Sequence, residues 1–190
     1  MKNTDFFEKK VESKKIFKGK VLNVFCDSVE LPNKVLSTRE YCKHLGAVCV
    51  VPLTDDDEVI CVRQYRYAHS RVLLEIPAGK LDSATEDFIE AATRELREET
   101  GAICDKLEFI GDIIPSPALI SEVIHMYLAR DLRFGETDFD DDELIEIVKI
   151  PIDELVAMIM RGEVPDAKTQ AAVLKVYFML LEERKNKNEA

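Results

Sequence analysis

The amino-acid sequence predicts an α+β fold. Segments with the composition of β-strands outnumber helical segments, and the two kinds do not alternate as they do along a parallel, doubly wound sheet. The chain has 190 residues, of which 46% are hydrophobic and 33% are charged. This length and composition suit one main hydrophobic core with a small additional lobe.

The additional lobe is predicted at the N-terminus. The stretch IFKGKVLNVFCDSVELPN has the pattern of two strands, with LPN as turn material. A turn-rich stretch separates these strands from a continuous apolar run that begins at Gly46. We therefore assign residues 1–43 to a small β-lobe, residues 44–184 to the main domain and residues 185–190 to a polar tail.

The main domain contains further strands and three helices. The short apolar run GAVCVVPLT predicts a buried strand. One helix is predicted over residues 86–100, and Ser83 and Glu86 would form a capping box at its start. Asp153 and Asp166 are predicted to begin the other two helices. The remaining strands are predicted in the segments EVICVRQYRY, LEFIGDIIPSP, EVIHMYLARDL and LIEIVKIP.

The composition disfavours several classes of function. The formal net charge is −11, which argues against nucleic acid as the main partner. The N-terminus MKNTDFFEKK lacks the apolar core of a signal peptide, and the apolar runs are too short to cross a membrane. The five cysteines have irregular spacing, which indicates buried, reduced thiols. We expect a soluble protein of the reducing cytoplasm.

The segment AATRELREETG places carboxylates at the unfavourable end of a helix. Glu95, Glu98 and Glu99 lie near its C-terminus, where the negative end of the helix dipole costs each one a few tenths to about 1 kcal/mol. On a helical wheel, Glu95 and Glu99 continue the apolar stripe set by Phe88 and Ala92. A hard divalent cation such as Mg²⁺ would offset both the burial and the dipole.

Surface ion pairs are the alternative explanation. Glu90–Arg94 and Arg94–Glu98 have the i,i+4 spacing of pairs that are worth roughly a few tenths of a kcal/mol. Such pairs explain Arg94 and Glu98, but they leave Glu95 and Glu99 side by side on the inward face. The spacing favours a metal site without excluding surface pairing.

The segment GKLDSATEDFIEAATRELREETGA resembles the Nudix box, the signature of the Nudix hydrolases. Residues 86–102 match the box in register, including its Arg-Glu-Leu-x-Glu-Glu sequence. One departure is that six residues, rather than five, separate Gly79 from Glu86. The extra residue falls in the loop DSAT, where insertions are usually absorbed.

The resemblance implies both a fold and a chemistry. Nudix hydrolases share an α/β/α sandwich with a mixed sheet, and they hydrolyse a nucleoside diphosphate linked to another moiety with Mg²⁺ or Mn²⁺. The implied metal ligands are three carboxylates and one backbone carbonyl, those of Glu95, Glu98, Glu99 and Ala78. Glu98 and Glu99 are also implied in catalysis. Glu86 and Arg94 would pair and hold the preceding loop against the helix.

The rest of the chain is similar to the ADP-ribose pyrophosphatase branch of the family. The segments that carry the similarity are VRQYRYAHSRVLLEIPAGKLD, PSPALISEVIHMYLARDL and GEVPDAKT. The resemblance implies that Arg66 contacts the substrate phosphates and that Glu75 lies beside the metals, with Arg39 as a weaker substrate-binding candidate. It also implies a homodimer formed through the N-terminal lobe.

The acidic loop FGETDFDDDE has two interpretations. An acidic run is by default a solvated loop, and we keep that interpretation for residues 138–142. In the ADP-ribose branch, however, a glutamate just before the last strand acts as the base or positions the attacking water. Glu143 is the best match for this role, and Glu146 is the alternative.

The sequence therefore predicts metal-dependent hydrolysis of ADP-ribose to AMP and ribose 5-phosphate. Hydrolysis of other nucleoside diphosphate sugars, such as GDP-mannose, is the alternative, because the box handles only the pyrophosphate that these substrates share. A third hypothesis is a non-catalytic protein that binds ADP-ribose and regulates a partner. The intact Arg-Glu-Leu-x-Glu-Glu sequence disfavours this third hypothesis.

Overall fold

A computed structural model of the chain describes residues 3–138 and 144–189. Within these residues the chain forms twelve β-strands and three α-helices, with 3₁₀ helices at Asn3–Phe6 and Tyr67–His69. The predicted α+β class is confirmed. The chain divides into two compact units, one formed by Met1–Leu45 with Ser116–Glu122 and the other by Gly46–Pro115 with Val123–Ala190.

The first unit is built on a three-stranded antiparallel sheet. Its strands are β1 (Lys9–Lys18), β2 (Asn23–Glu30) and β3 (Leu36–Lys43), and β2 lies in the middle. The sequence predicted two strands here. The additional strand, β3, has the charged composition STREYCK, which hides its period-2 pattern.

A distant segment of the chain returns to the first unit. Residues Ser116–Glu122 belong to it, although the sequence-based division placed them in the main domain. The backbone of Cys42 holds this segment in the first unit. Its N–H donates to the Leu119 carbonyl at 2.8 Å, and its carbonyl accepts from the Ser121 N–H at 3.0 Å. A contact between segments so far apart in sequence leaves no local pattern.

The second unit contains a mixed sheet and an antiparallel sheet. Its strands are β4 (Ala47–Pro52), β5 (Glu58–Arg66), β6 (Arg71–Glu75), β7 (Ala78–Lys80), β8 (Ala102–Ile103), β9 (Leu107–Ile113), β10 (Ile124–Ala129), β11 (Arg133–Phe134) and β12 (Ile145–Pro151). The mixed sheet has the order β7-β4-β10-β9, in which β4 and β10 are parallel. The antiparallel sheet has the order β12-β5-β6, and β11 pairs with β8.

Helices cover both faces of the mixed sheet. The helices are α1 (Phe88–Thr100), α2 (Ile152–Met160) and α3 (Ala167–Glu189). Successive side chains of β4 point to opposite faces. Val48 and Val50 pack with Leu96 of α1, while Cys49 and Val51 pack in the core that includes residues of α2 and α3. This burial on two sides explains why β4 is a continuous apolar run rather than an alternating one.

Helix α1 begins later than the sequence predicted. Its N-cap is Asp87, whose carboxylate accepts hydrogen bonds from the N–H groups of Ile89 and Glu90. The predicted capping box of Ser83 and Glu86 is wrong, because Ser83 instead accepts a hydrogen bond from the Thr85 N–H. Glu86 is thereby free of capping and is used elsewhere in the fold.

The other end of α1 follows the prediction. Gly101 has a φ of 67° and its N–H donates to the Arg97 carbonyl, as expected for a C-terminal glycine. Helix α3 continues to Glu189 and so includes residues that the sequence assigned to a polar tail. All five cysteines are free thiols, as predicted, but only Cys49, Cys61 and Cys104 are buried, whereas Cys26 and Cys42 are partly exposed. None of the helices among the described residues is both long and apolar enough to span a membrane.

Candidate active site

A polar cleft of about 420 Å³ opens in the second unit beside the last turns of α1. Strands β5 and β7, helix α1 and the segment that ends at Asp138 form its walls. It is lined by Arg66, Ala78, Gly79, Lys80, Asp82, Arg94, Glu95, Glu98, Glu99 and Asp138. The cleft thus brings together five of the residues that the sequence singled out, namely Arg66, Ala78, Glu95, Glu98 and Glu99.

The two glutamates that the helical wheel placed inward are the more buried ones. Glu99 is only 5% exposed, and its carboxylate accepts a hydrogen bond from the Ala78 N–H at 3.1 Å. The side chain of Glu95 is 13% exposed and that of Glu98 is 28% exposed. Phe88, which the wheel placed on the same stripe, is 41% exposed instead and stacks on the ring of His125.

Gly79 provides the space that Glu95 occupies. A Cβ atom on Gly79 would lie 2.0 Å from the Glu95 carboxyl carbon, a distance at which two carbon atoms cannot coexist. Any larger residue in β7 at this position would therefore force the Glu95 carboxylate to move. The additional residue between Gly79 and Glu86 is accommodated in the loop and leaves this contact in place.

Arg94 lies in the cleft and not on the outer surface. Its guanidinium donates to Glu95 at 2.7 Å and to Glu98 at 3.2 Å, and it also donates to Glu86 at 3.2 and 3.3 Å. The Arg94–Glu98 pair has the predicted i,i+4 spacing, but the interpretation of Arg94 as a purely surface residue is wrong. Glu86 in turn accepts from the Asp82 N–H at 2.6 Å. The Arg94–Glu86 pair therefore fastens the loop to the helix.

The charge of Arg94 is fixed by its neighbours. Burial lowers the pKa of Arg94, but the carboxylates of Glu95, Glu86 and Glu98 raise it by more, so the pKa lies above its ordinary value. Arg94 is therefore a permanent cation among the box carboxylates. It partly offsets the repulsion between carboxylates that share one helix end.

The donor set in the cleft fits a hard divalent cation that is bound in an open site. Glu95, Glu98 and Glu99 supply carboxylate oxygens to one cleft, and carboxylates are preferred ligands of Mg²⁺. Among the described residues, no three His, Cys, Asp or Glu side chains are grouped so that they could hold a metal ion by themselves. Mg²⁺ usually keeps several waters and takes one or two carboxylates together with substrate phosphates, so an open arrangement suits it.

Glu75 lies behind Arg66. Glu75 is 2% exposed, and Arg66 donates to its two carboxylate oxygens at 2.7 and 2.8 Å. Lys168 of α3 also pairs with Glu75. Burial alone would raise the pKa of Glu75, but the hydrogen bonds and charges of Arg66 and Lys168 lower it from 4.5 to about 2. Glu75 is therefore a buried carboxylate that orients Arg66.

Lys168 was missed by sequence reasoning, and Asp166 was predicted only as the start of the last helix. Lys168 pairs with Asp166 at 3.0 Å, and Asp166 also accepts from the N–H and the hydroxyl of Thr169. The sequence did contain a signal for Lys168, because a lysine in the first turn of a helix is disfavoured by the positive end of the dipole. The segment GEVPDAKT was noted for its family resemblance, but the lysine was not given a role.

Two further predicted site residues, Arg39 and Glu146, are not among the residues that line the cleft. Arg39 is on β3 in the first unit, where it donates to Glu8 at 2.8 Å. Glu143 falls outside the described residues. Glu146, its alternative, is exposed on β12 and pairs with Arg63 at 3.2 Å.

Known proteins share this fold and this sequence pattern. The family model described as "NUDIX domain" matches residues 43–173. The "Methanol dehydrogenase activator" of Bacillus methanolicus is 38% identical over 184 residues, which cover 96% of this chain and 98% of the relative. The "ADP-ribose pyrophosphatase" of Bacillus subtilis (strain 168) is 39% identical over 168 residues, which cover 87% and 90% of the two chains.

A solved structure confirms the architecture. The crystal structure of an "ADP compounds hydrolase" aligns with a TM-score of 0.81 and covers 93% of this chain and 95% of that chain. The sequence identity is 23%, so this similarity concerns the fold. The predicted sandwich with a mixed sheet is confirmed by the match.

Replacing Gly79 with alanine should weaken the binding of a divalent cation. The new methyl group would displace the Glu95 carboxylate, and disturbing the support of a metal ligand typically costs about 10- to 100-fold in affinity. Titration calorimetry with Mn²⁺ measures this change. Gly135→Ala is the matched control, because its Cβ would meet no atom closer than 3.7 Å. Equal Mn²⁺ affinity in both variants would refute the role of Gly79.

Replacing Glu75 with glutamine should change how stability depends on pH. The folded-state pKa of Glu75 is lowered from 4.5 to about 2, so the ionised carboxylate stabilises the fold above pH 4.5 and this contribution is lost as the pH falls. Between about pH 5 and about pH 2, the wild-type protein should lose on the order of 3 kcal/mol more unfolding free energy than Glu75→Gln.

Urea unfolding at a series of pH values measures this difference. The control is Glu146→Gln, which removes a carboxylate that is exposed at the surface. Its curve should run parallel to that of the wild type. Parallel curves for the wild type and Glu75→Gln would show that the buried carboxylate is not preferentially ionised.

Proposed function

Since this chain belongs to the NUDIX family, we propose that it hydrolyses ADP-ribose to AMP and ribose 5-phosphate in a reaction that requires Mg²⁺ or Mn²⁺. The observation that carries the proposal is the cleft itself, in which the box carboxylates and Arg66 face one space. The similarity to the Bacillus subtilis ADP-ribose pyrophosphatase extends over 87% of this chain. It supports ADP-ribose as the nucleoside diphosphate sugar that is used.

The cation would be held on the α1 side of the cleft. Glu95, Glu98, Glu99 and the backbone carbonyl of Ala78 are the proposed ligands. When bound, such an ion neutralises phosphate charge and makes a water molecule a stronger nucleophile at neutral pH. Gly79 and Arg94 keep the carboxylates in place through the contacts described above.

Arg66, at the end of β5, would bind the pyrophosphate. Its side-on pairing with Glu75 uses two of the five guanidinium N–H groups, which leaves three for phosphate oxygens. A planar fork of this kind suits phosphate better than a lysine does. Glu75 would then act through Arg66 and not through direct contact with the substrate. Arg39 remains a weaker candidate for substrate binding.

The attacking water needs a base. Glu143 is our proposal for this role. Asp138 lines the cleft, and its N–H donates to the Glu98 carbonyl at 3.1 Å. Glu146 is a weaker alternative because Arg63 already pairs with it. Attack of the water on one phosphorus breaks a P–O bond of the pyrophosphate and releases the two monophosphates.

We also propose that the protein is a cytoplasmic homodimer that does not bind nucleic acid. The first unit supports the dimer, because it exposes many large apolar side chains, among them those of Phe6, Phe7, Val11, Ile16, Phe17, Val21, Leu22, Val35 and Leu36. Exposed apolar patches of this extent mark interfaces. The net charge of −11 supports the absence of nucleic acid as a partner.

An apolar-to-charged substitution in the first unit tests the dimer. Ile16→Lys should convert the protein to a monomer, because it places a charge on the proposed interface. Light scattering coupled to size-exclusion chromatography measures the mass. Lys14→Met, on the same strand, is the control and should not dissociate the dimer. A monomeric wild-type protein would contradict the proposal.

Replacing Glu99 with glutamine should abolish turnover of ADP-ribose. The amide keeps the size of the side chain and an oxygen for the Ala78 N–H, but it removes the charge that a cation needs, so a loss of at least about 100-fold is expected. Circular dichroism should remain unchanged. Release of AMP with Mg²⁺ or Mn²⁺ is the measurement.

Control substrates and a control variant make this test specific. Glu90→Gln, on the exposed side of the same helix, should retain the wild-type rate. Near-wild-type turnover by Glu99→Gln would contradict the metal assignment. A panel that includes GDP-mannose tests the substrate, and preferred release of GMP would favour the alternative activity.

A second candidate function is the activation of a dehydrogenase. The Bacillus methanolicus relative is named a methanol dehydrogenase activator, and its similarity extends over 96% of this chain. Purified methanol dehydrogenase, assayed with and without this protein, tests the candidate. Activation that is lost in Glu99→Gln would depend on hydrolysis, whereas activation that persists would indicate a non-catalytic role.

A further inference from the structure

We propose that Lys168, held by Asp166, is a positioning residue that keeps Arg66 in place for the substrate phosphates. This inference rests on the proposed function, since it concerns how Arg66 binds a pyrophosphate. Lys168 lies in the first turn of α3, and it is not among the residues that line the cleft. Its effect on the substrate therefore has to pass through other residues.

Lys168 is connected to Arg66 through one buried carboxylate, that of Glu75. Glu75 accepts from Arg66 with both oxygens, and Lys168 donates to one of these same oxygens. The side chain of Glu75 is 3% exposed and that of Lys168 is 11% exposed, whereas that of Arg66 is 39% exposed. Arg66 thus links a buried anion to the open cleft, and Lys168 shares that anion with it.

Glu75 needs Lys168 as a second counter-ion because Arg66 would pair with Glu75 and with the substrate phosphate at the same time. When Arg66 donates to a phosphate, its positive charge is shared between the phosphate and Glu75. A buried carboxylate that loses part of its only counter-ion becomes costly to keep ionised. Lys168 remains with Glu75 throughout, so Glu75 stays charged and continues to orient the Arg66 fork.

Asp166 fixes Lys168 in turn. Its carboxylate accepts from the Thr169 N–H at 2.9 Å and from the Thr169 hydroxyl at 2.6 Å, in addition to pairing with Lys168. The Thr169 hydroxyl oxygen also accepts from the Ile76 N–H at 2.9 Å. The first turn of α3 is therefore tied to the residue that follows Glu75. This arrangement defines the position of Lys168 relative to Glu75.

The location of Lys168 is unfavourable on local grounds. The N-terminus of a helix carries the positive end of the dipole, which disfavours a lysine there. Little solvent reaches the side chain to offset that cost. A local choice that contradicts the usual preference is expected where a residue serves a site.

The test measures kcat and KM for ADP-ribose, or for whichever nucleoside diphosphate sugar the wild type hydrolyses best. Lys168→Met should raise KM by about tenfold with a much smaller change in kcat, as expected when binding to the ground state and the transition state is lost equally. Lys168→Arg should restore most of the affinity. Lys175→Met, on an exposed position of the same helix, should behave like the wild type.

A double-mutant cycle separates positioning from a general effect on the fold. Arg66→Lys removes the fork that is being positioned, so adding Lys168→Met to it should raise KM by less than about twofold further. Asp166→Asn retains a good helix cap but loses the charge that holds Lys168, and it should raise KM in the same direction. It provides the test if Lys168→Met does not fold.

The outcomes are distinct. A wild-type protein that hydrolyses none of the nucleotide sugars contradicts the proposed function and removes the basis of this inference. A wild-type protein that is active, with the same KM in Lys168→Met or Asp166→Asn, overturns the positioning role alone. Equal KM increases in the wild-type and Arg66→Lys backgrounds would assign Lys168 to general stability and would also overturn it.

Discussion

The structure of the cleft depends on the repulsion among carboxylates at the C-terminal end of α1. The helix dipole increases the cost of negative charge there, and Glu99 is nearly excluded from solvent. The neighbouring structure offsets this cost. Arg94 bridges Glu95 and Glu98, the Ala78 N–H binds Glu99, and Gly79 leaves room for Glu95.

A second group of charges, around Arg66, reverses this pattern. A lysine occupies the positive end of α3, where a carboxylate would be favoured, and a buried glutamate holds it together with an arginine. The cleft is therefore lined by groups of opposite charge, carboxylates from α1 and a guanidinium from β5. A molecule with two phosphates can meet an arginine on one side and, through cations, carboxylates on the other.

Much of this could be read from the sequence, and the omissions have physical reasons. The box helix, its closing Gly101 and the inward position of Glu99 follow from periodicity and local preference. The pairing of Arg94 with Glu86 was implied by the resemblance and is present, but the contact of Arg94 with Glu95 was not predicted, because a wheel gives the direction of Cβ, whereas a long side chain reaches around the helix. Lys168 was overlooked because its partner, Glu75, is 93 residues away in the chain. The predicted capping box failed because Asp87, four residues after Ser83, is the N-cap instead.

The internal pairing of Arg94 has a consequence for how the protein is assembled. Small zinc domains remain unfolded until the ion arrives, because the ion supplies the free energy of folding. Here a side chain of the protein already compensates the acidic helix end, so the chain can reach its final shape before any ion is present. Folding and the metal loading that we propose would then be separate events, and the scaffold would persist without the ion.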